Sequence, residues 1–169
     1  MNGRITFEHL AETVSAAFAE VKRPDPDKIL NKYGKVECPN ARSFLEGWDW
    51  RNVIDEFERE RTTRLVDMLA LSDEGWIYYL PAYLIVTAKY YYEYNYCDNV
   101  IWGLLLYDMG TEKAYLNKDN MRRFEILSPS QKHAVRLFLE YMIQEYRQEM
   151  KWSHPNSPWM ALAQYWKRF

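Results

Sequence analysis

Residues 72–94 read SDEGWIYYLPAYLIVTAKYYYEY. Ser72 supplies a hydroxyl cap, and Asp73 and Glu74 place acids in the first turn, the chemistry that starts a helix. Trp76, Leu80, Tyr83, Leu84, Thr87, Tyr91 and Tyr94 then recur at three- and four-residue steps, while Ile77, Tyr78, Tyr79 and Ile85 cover much of the remaining circumference. A helix that is apolar nearly all round belongs at the centre of its domain. Pro81 lies inside it and removes a donor, so the spacing predicts a kink or break there, with one helical piece before it and a longer one after. The uncharged run from Gly75 to Ala88 is shorter than the ~18–20 residues that a membrane-spanning helix needs.

The segments on either side are helical as well. Ser128-Pro129-Ser130-Gln131 is a capping box with proline at the first helical position. Val135, Phe138, Leu139, Met142, Ile143 and Tyr146 form the stripe behind it, which predicts a helix over about 129–150. Ser157-Pro158 repeats the cap for a short helix carrying Trp159, Leu162 and Trp166. Upstream, Thr6 caps a helix whose apolar side is Phe7, Leu10, Val14, Phe18 and Val21; Pro24 and Pro26 end it. Asp49 is a candidate cap for Trp50, Val53, Ile54 and Phe57, which share one face of a helix or helix pair over 50–70. Asp55 with Arg59 and Glu60 with Arg64 are acid-before-base pairs four apart. Residues 24–47 are irregular, punctuated by Gly34, Cys38-Pro39-Asn40 and Gly47, with short turns expected after Asp25-Pro26 and at 41–46. Residues 98–107 are apolar and too short for period to separate helix from strand; leucine content favours helix. Residues 108–120 read as a polar loop with one turn from Asn117. The expectation is a compact, single-domain all-α bundle of about six helices over residues 1–169, with a kinked aromatic-rich central helix.

Two segments together resemble a known family: Tyr78-Tyr79-Leu80-Pro81-Ala82-Tyr83-Leu84, and Leu127-Ser128-Pro129-Ser130-Gln131 continuing to Tyr141. They are similar to a family of small bacterial proteins, a domain of unknown function in which a "YYLPAFL"-like helix precedes an "LSPEQ"-like capped helix. This chain has Tyr83 in place of phenylalanine, nearly neutral for packing, and Ser130 in place of glutamate, one acid fewer at a helix start. The resemblance implies a small helical bacterial cytosolic protein. It carries no activity and no catalytic residue with it.

Composition narrows the function. The 169 residues are 48% hydrophobic and 27% charged, with a formal net charge of −2. That is an ordinary globular balance, unlike that of disordered chains or disulfide scaffolds. Neither half has the basic excess of a nucleic-acid binder; the local basic spots are Arg122-Arg123 and Lys167-Arg168. The two cysteines, Cys38 and Cys97, fit a reducing compartment. The N-terminus lacks the apolar run of a signal peptide, so a cytoplasmic location is expected, without a membrane partner.

Most recognisable chemistries are missing. His9, His133 and His154 stand in no metal-ligand spacing, and the cysteines form no Cys-x-x-Cys pair, so no metal and no cofactor is expected. No two of the six glycines are close enough for a phosphate cradle. There is no nucleophile elbow. Asp55-Glu56, Asp73-Glu74 and Glu58 with Glu60 all have structural readings as dipole complements or helix pairs.

What is unusual is the aromatic content, 17% of the chain. The 76–94 helix absorbs many of these rings as core. Tyr90-Tyr91-Tyr92 cannot all face one way, since helical neighbours diverge by about 100°, and Trp48 and Trp50 diverge beside a loop. Trp48, Trp50, Tyr90 and Tyr92 are therefore the candidate binding residues, because exposed Trp and Tyr make interface hot spots. The leading expectation is a non-enzymatic protein-interaction module, immunity-like in size and charge, whose partner is another protein; self-association into a homo-oligomer stays open. The alternatives are a small-molecule binder with an aromatic pocket between helices near Pro81, and an enzyme of unrecognised type.

Overall fold

A computed structural model of the chain describes residues 3–38, 49–60, 67–91, 97–108, 115–146 and 157–169. The chain forms one all-α domain. Among the described residues its helices are α1 (Phe7–Phe18), α2 (Lys32–Glu37), α3 (Trp50–Glu60), α4 (Asp73–Tyr90), α5 (Cys97–Trp102), α6 (Lys118–Ile126), α7 (Pro129–Tyr146) and α8 (Pro158–Gln164). Short 3-10 turns lie at Pro26–Lys28, Met68–Ala70 and Trp166–Arg168. A two-residue antiparallel ladder pairs β1 (Tyr107–Asp108) with β2 (Tyr115–Leu116), Tyr107 opposite Leu116.

The central helix is α4. Every residue from Tyr78 to Ala88 is buried, because α1, α3 and α7 all pack around it. It runs unbroken through Pro81. The break expected there does not occur, since packing on all sides holds the turn that the missing N–H would otherwise release. On α1 and α7 the stripes fall inward as their spacing demands: Leu10, Val14 and Phe18 on one, Val135, Phe138, Leu139 and Met142 on the other.

The caps follow the sequence. Thr6 Oγ1 accepts the His9 amide at 3.2 Å. At the start of α7 the Gln131 amide donates to Ser128 Oγ at 3.2 Å, and the Ser128 amide donates back to Gln131 Oε1 at 2.9 Å, the reciprocal pair of a capping box. Ser157 receives the Met160 amide at 3.3 Å. Asp49 Oδ1 receives the Arg51 amide at 2.8 Å and Oδ2 the Tyr78 hydroxyl at 2.9 Å, fastening the start of α3 to α4.

α1 is tied to α7 by a side chain that imitates backbone. Gln144 Oε1 receives the Ile5 amide at 2.9 Å, and its Nε2 donates to the Ile5 carbonyl at 2.8 Å. Arg4 completes the contact on Glu145 at 2.9 Å.

Two parts of the chain differ from their sequence reading. α2 forms within the irregular 24–47 region, with Gly34 inside the helix as a packing residue. Residues 108–120, read as a loop with one turn from Asn117, carry all of the β ladder but Tyr107, and the turn from Asn117 is the start of the nine-residue α6. The expected turn at 41–46 lies outside the described residues.

Residues 28–31 run alongside 69–72. Asn31 donates its amide to Ala70 O at 3.0 Å, and Ser72 donates its amide to Ile29 O at 2.9 Å. The Ser72 hydroxyl donates to the Lys28 carbonyl. A Cβ on Gly75 would collide with the carbonyl oxygen of Ile29, and one on Gly34 with that of Ala70. Helix propensity alone predicts that Gly75→Ala stabilises the chain by about 1 kcal/mol. The backbone contact reverses that sign. Gly75→Ala is expected to destabilise by about 1–3 kcal/mol, as overpacking does, read as a lowered urea midpoint at unchanged m-value.

Candidate functional site

A polar cleft of about 390 Å³ opens between the 28–31/69–72 clasp and α6, lined by Asn31, Ser72, Asp73, Asn117, Asp119, Asn120, Arg122 and Arg123 with Leu69 and Leu71. Local sequence places each of these. Asn31 caps α2 by accepting the Gly34 amide at 2.8 Å, and its amide nitrogen donates to the carbonyls of Leu69 at 2.6 Å and Leu71 at 3.1 Å. Asn117 caps α6 by accepting the Asn120 amide at 3.0 Å. Asn120, only 3% exposed, spends its amide on the Leu105 carbonyl at 2.8 Å.

Asp73 is the electrostatic centre. Arg122 grips its carboxylate with Nε at 2.7 Å and Nη2 at 3.0 Å, and Arg123 Nε reaches it at 3.1 Å. Partial burial by itself would raise the Asp73 pKa, but the hydrogen bonds and charges of the two guanidinium groups hold it below its ordinary value of 3.8. Arg122 also reaches Asp119 at 3.2 Å. Arg123 is buried, donates to the Leu71 carbonyl at 2.6 Å, and lies 5.7 Å from the Trp76 ring centroid. The walls therefore carry two cations, Arg122 and Arg123, against two carboxylates, Asp73 and Asp119, and no histidine or cysteine. Among the described residues no cluster of three or more His, Cys, Asp or Glu could hold a metal ion.

Of the candidate binding aromatics, the two within the described residues, Trp50 and Tyr90, are buried. Trp50 is 1% exposed and Tyr90 is 7% exposed. Trp50 shares the stripe of Val53 and Phe57 and goes inward with it against α4. Tyr90 closes on Phe57 at 5.3 Å between ring centroids. Trp48 and Tyr92 lie outside the described residues. Among the described residues, the large apolar side chains that are exposed are Tyr33, Val36, Tyr107 and Ile126. Tyr33 and Val36 stand three apart on α2, so they share a face. All four sit on elements adjoining the cleft: α2 follows Asn31, Ile126 ends α6, and Tyr107 follows Leu106, whose carbonyl receives the Asn117 amide at 2.9 Å. Sequence spacing offered one signal for this surface, the i,i+3 pair Tyr33/Val36, in a stretch otherwise read as irregular.

The fold and cleft define a small all-α domain with a charge-balanced polar cleft between helices. Residues 6–169 match DUF6714, a family of unknown function, and the chain belongs to that family, in keeping with the paired YYLPAYL and LSPSQ segments. No curated protein and no solved structure matches it. Among the described residues, no helix is long and apolar enough to cross a membrane.

Proposed function

We propose that this protein is a non-enzymatic interaction module that binds another protein through the surface around the cleft. The supporting observation is where apolar exposure falls: Tyr33 is 57% exposed, Val36 69%, Ile126 49% and Tyr107 38%, all on elements that border the same charged cleft. Apolar anchors beside a polar, hydrogen-bonding rim are the usual anatomy of a protein interface. Tyrosine is among the residues favoured as hot spots. α2 is held rigid from beneath by Asn31 and Gly34, so little ordering cost attends docking on its outer face. A partner-blocking role in the bacterial cytoplasm, of the kind immunity proteins have, fits the small size and mildly acidic charge.

A second reading, binding of a small polar molecule in the cleft, is favoured by its volume, which lies in the range of ligand sites. The cleft's polarity counts against it, since such sites are mostly apolar.

One experiment separates the two. Tagged protein is used to capture partners from native lysate in three forms: unaltered, with Tyr33→Ser and Val36→Ser together, and with Arg122→Gln. Both replaced surface residues are exposed, so helical circular dichroism should be unchanged. A stoichiometric protein that is captured by the unaltered chain and lost with the α2 pair supports the interaction module. Capture that is indifferent to the α2 pair overturns the α2 face. If no protein is captured and a metabolite panel shifts the melting temperature in an Arg122-dependent way, the cleft reading replaces it.

A further inference from the structure

The basic pair Lys167-Arg168 is built differently from Arg122-Arg123. The turn Trp166–Arg168 is anchored from below: Trp166 is fully buried, its indole N–H donates to the Leu104 carbonyl at 2.8 Å, and its ring lies 4.5 Å from that of Phe124. Tyr165, also buried, packs on Trp166 at 4.9 Å. With these residues fixed, Lys167 and Arg168 are held on the outside.

Arg168 stacks its guanidinium 4.0 Å from the centre of the Tyr165 ring and 5.2 Å from that of Phe169. Lys132, at the start of α7, places Nζ 4.9 Å from the same Phe169 ring. Two cations from distant parts of the chain thus converge on one aromatic residue, and Lys167 is exposed on the same turn as Arg168. Among the described residues none of the three has an acid within ion-pair distance, whereas Arg4, Arg51, Arg122, Arg123 and Arg136 all do.

An aromatic face attracts a cation without cancelling its charge. A guanidinium stacked on a ring keeps its in-plane N–H fork open, and that fork matches a carboxylate bidentately. The rings therefore order the side chains and leave the charges unspent. Three cations fall short of the roughly six to ten phosphate contacts of a strong nucleic-acid binder. They also fall short of the roughly four to eight clustered cations that read as an anionic-lipid site.

We infer that this corner is a recognition site for a carboxylate-rich segment of a partner protein. Arg168 pairs bidentately with one carboxylate, and Lys132 and Lys167 supply the surrounding positive field. The site uses other residues than the α2 face and stands or falls independently of it.

The test is fluorescence anisotropy of a labelled decaglutamate peptide titrated with the purified full chain. Saturable binding that weakens as salt is raised is expected. Arg168→Glu, and separately Lys132→Glu, should each weaken it about tenfold or more at unchanged helicity. Arg168→Lys keeps the charge but loses the planar fork and should weaken binding several-fold. Absence of saturable binding at low salt, or indifference to both charge reversals, would overturn the site. Full binding by Arg168→Lys would overturn the bidentate pairing. Tighter binding of a single-stranded oligonucleotide or of phosphatidylserine vesicles than of the peptide would overturn the assignment to carboxylates.

Discussion

Asp73→Ala is expected to lower the unfolding free energy by about 3 kcal/mol, the lower end of what breaking a buried ion pair costs. The reason lies with its partners. Arg123 has a side chain only 7% exposed, and without Asp73 that charge keeps backbone carbonyls and the Trp76 ring but no anion among its described partners. Arg122 loses two hydrogen bonds as well, but it is largely solvated and contributes less. Asp73 is itself 32% exposed, which limits the loss.

Urea denaturation of Asp73→Ala, Arg123→Met and the double variant checks the argument. If the penalty is an orphaned buried cation, the double variant recovers part of the Asp73→Ala loss, because apolar replacement of a whole buried pair is often tolerated. Additive losses would sink that explanation. The pH dependence has a definite sign. Asp73 titrates lower in the folded chain than its ordinary 3.8, so its contribution is complete above that value and disappears as pH falls through the depressed folded pKa. The stability gap between the native chain and Asp73→Ala should therefore close in acid below about pH 4.

Trp166→Ala is expected to cost more, about 4 kcal/mol, in the range of large aromatic truncations. Trp166 has no exposed surface, touches the Phe124 ring, and supplies the donor for Leu104 O. Removing it leaves both a cavity and an unpaired buried carbonyl. A domain of this size has total stability of about 5–15 kcal/mol, so the variant should melt far below the native chain in differential scanning calorimetry. A loss under about 1 kcal/mol would show that the last turn is an appendage of the core.

Those two residues also mark what the sequence could and could not disclose. Trp166 was legible: it follows Ser157-Pro158 and falls with Trp159 and Leu162 in a capped apolar segment. So were the caps Thr6, Ser72 and Ser128 with Gln131, and the stripes of α1 and α7, because caps and periodicity are local. Asp73 was read correctly as a first-turn acid, but its partners are about fifty positions away and spacing says nothing of them. Arg123 and Asn120 were illegible in a stronger sense. Polar residues in a short segment read as solvated surface, yet these two are buried because each satisfies carbonyls of another segment. The same burial hid the length of α6, of which the sequence showed only a turn from Asn117, since its inward face holds an amide and a guanidinium beside Phe124.

Gly34 was read as punctuation because glycine more often breaks helices than packs them. For Trp50 the sequence held two conflicting cues, a loop neighbour suggesting exposure and a stripe with Val53 and Phe57 suggesting burial. The stripe decided it, because packing a tryptophan against α4 gains more than leaving it in water.

The clamp of Gln144 on the Ile5 backbone joins residues 139 positions apart. Distance along the chain slows folding through the entropy of closing the loop. It also sets an order during synthesis. At about 5–20 residues per second, α7 leaves the ribosome roughly 7 to 28 seconds after α1. Until then Leu10, Val14 and Phe18 have no α7 to cover them. In the growing chain α1 is a greasy helix that α4 alone can cover, the kind of segment that chaperones hold.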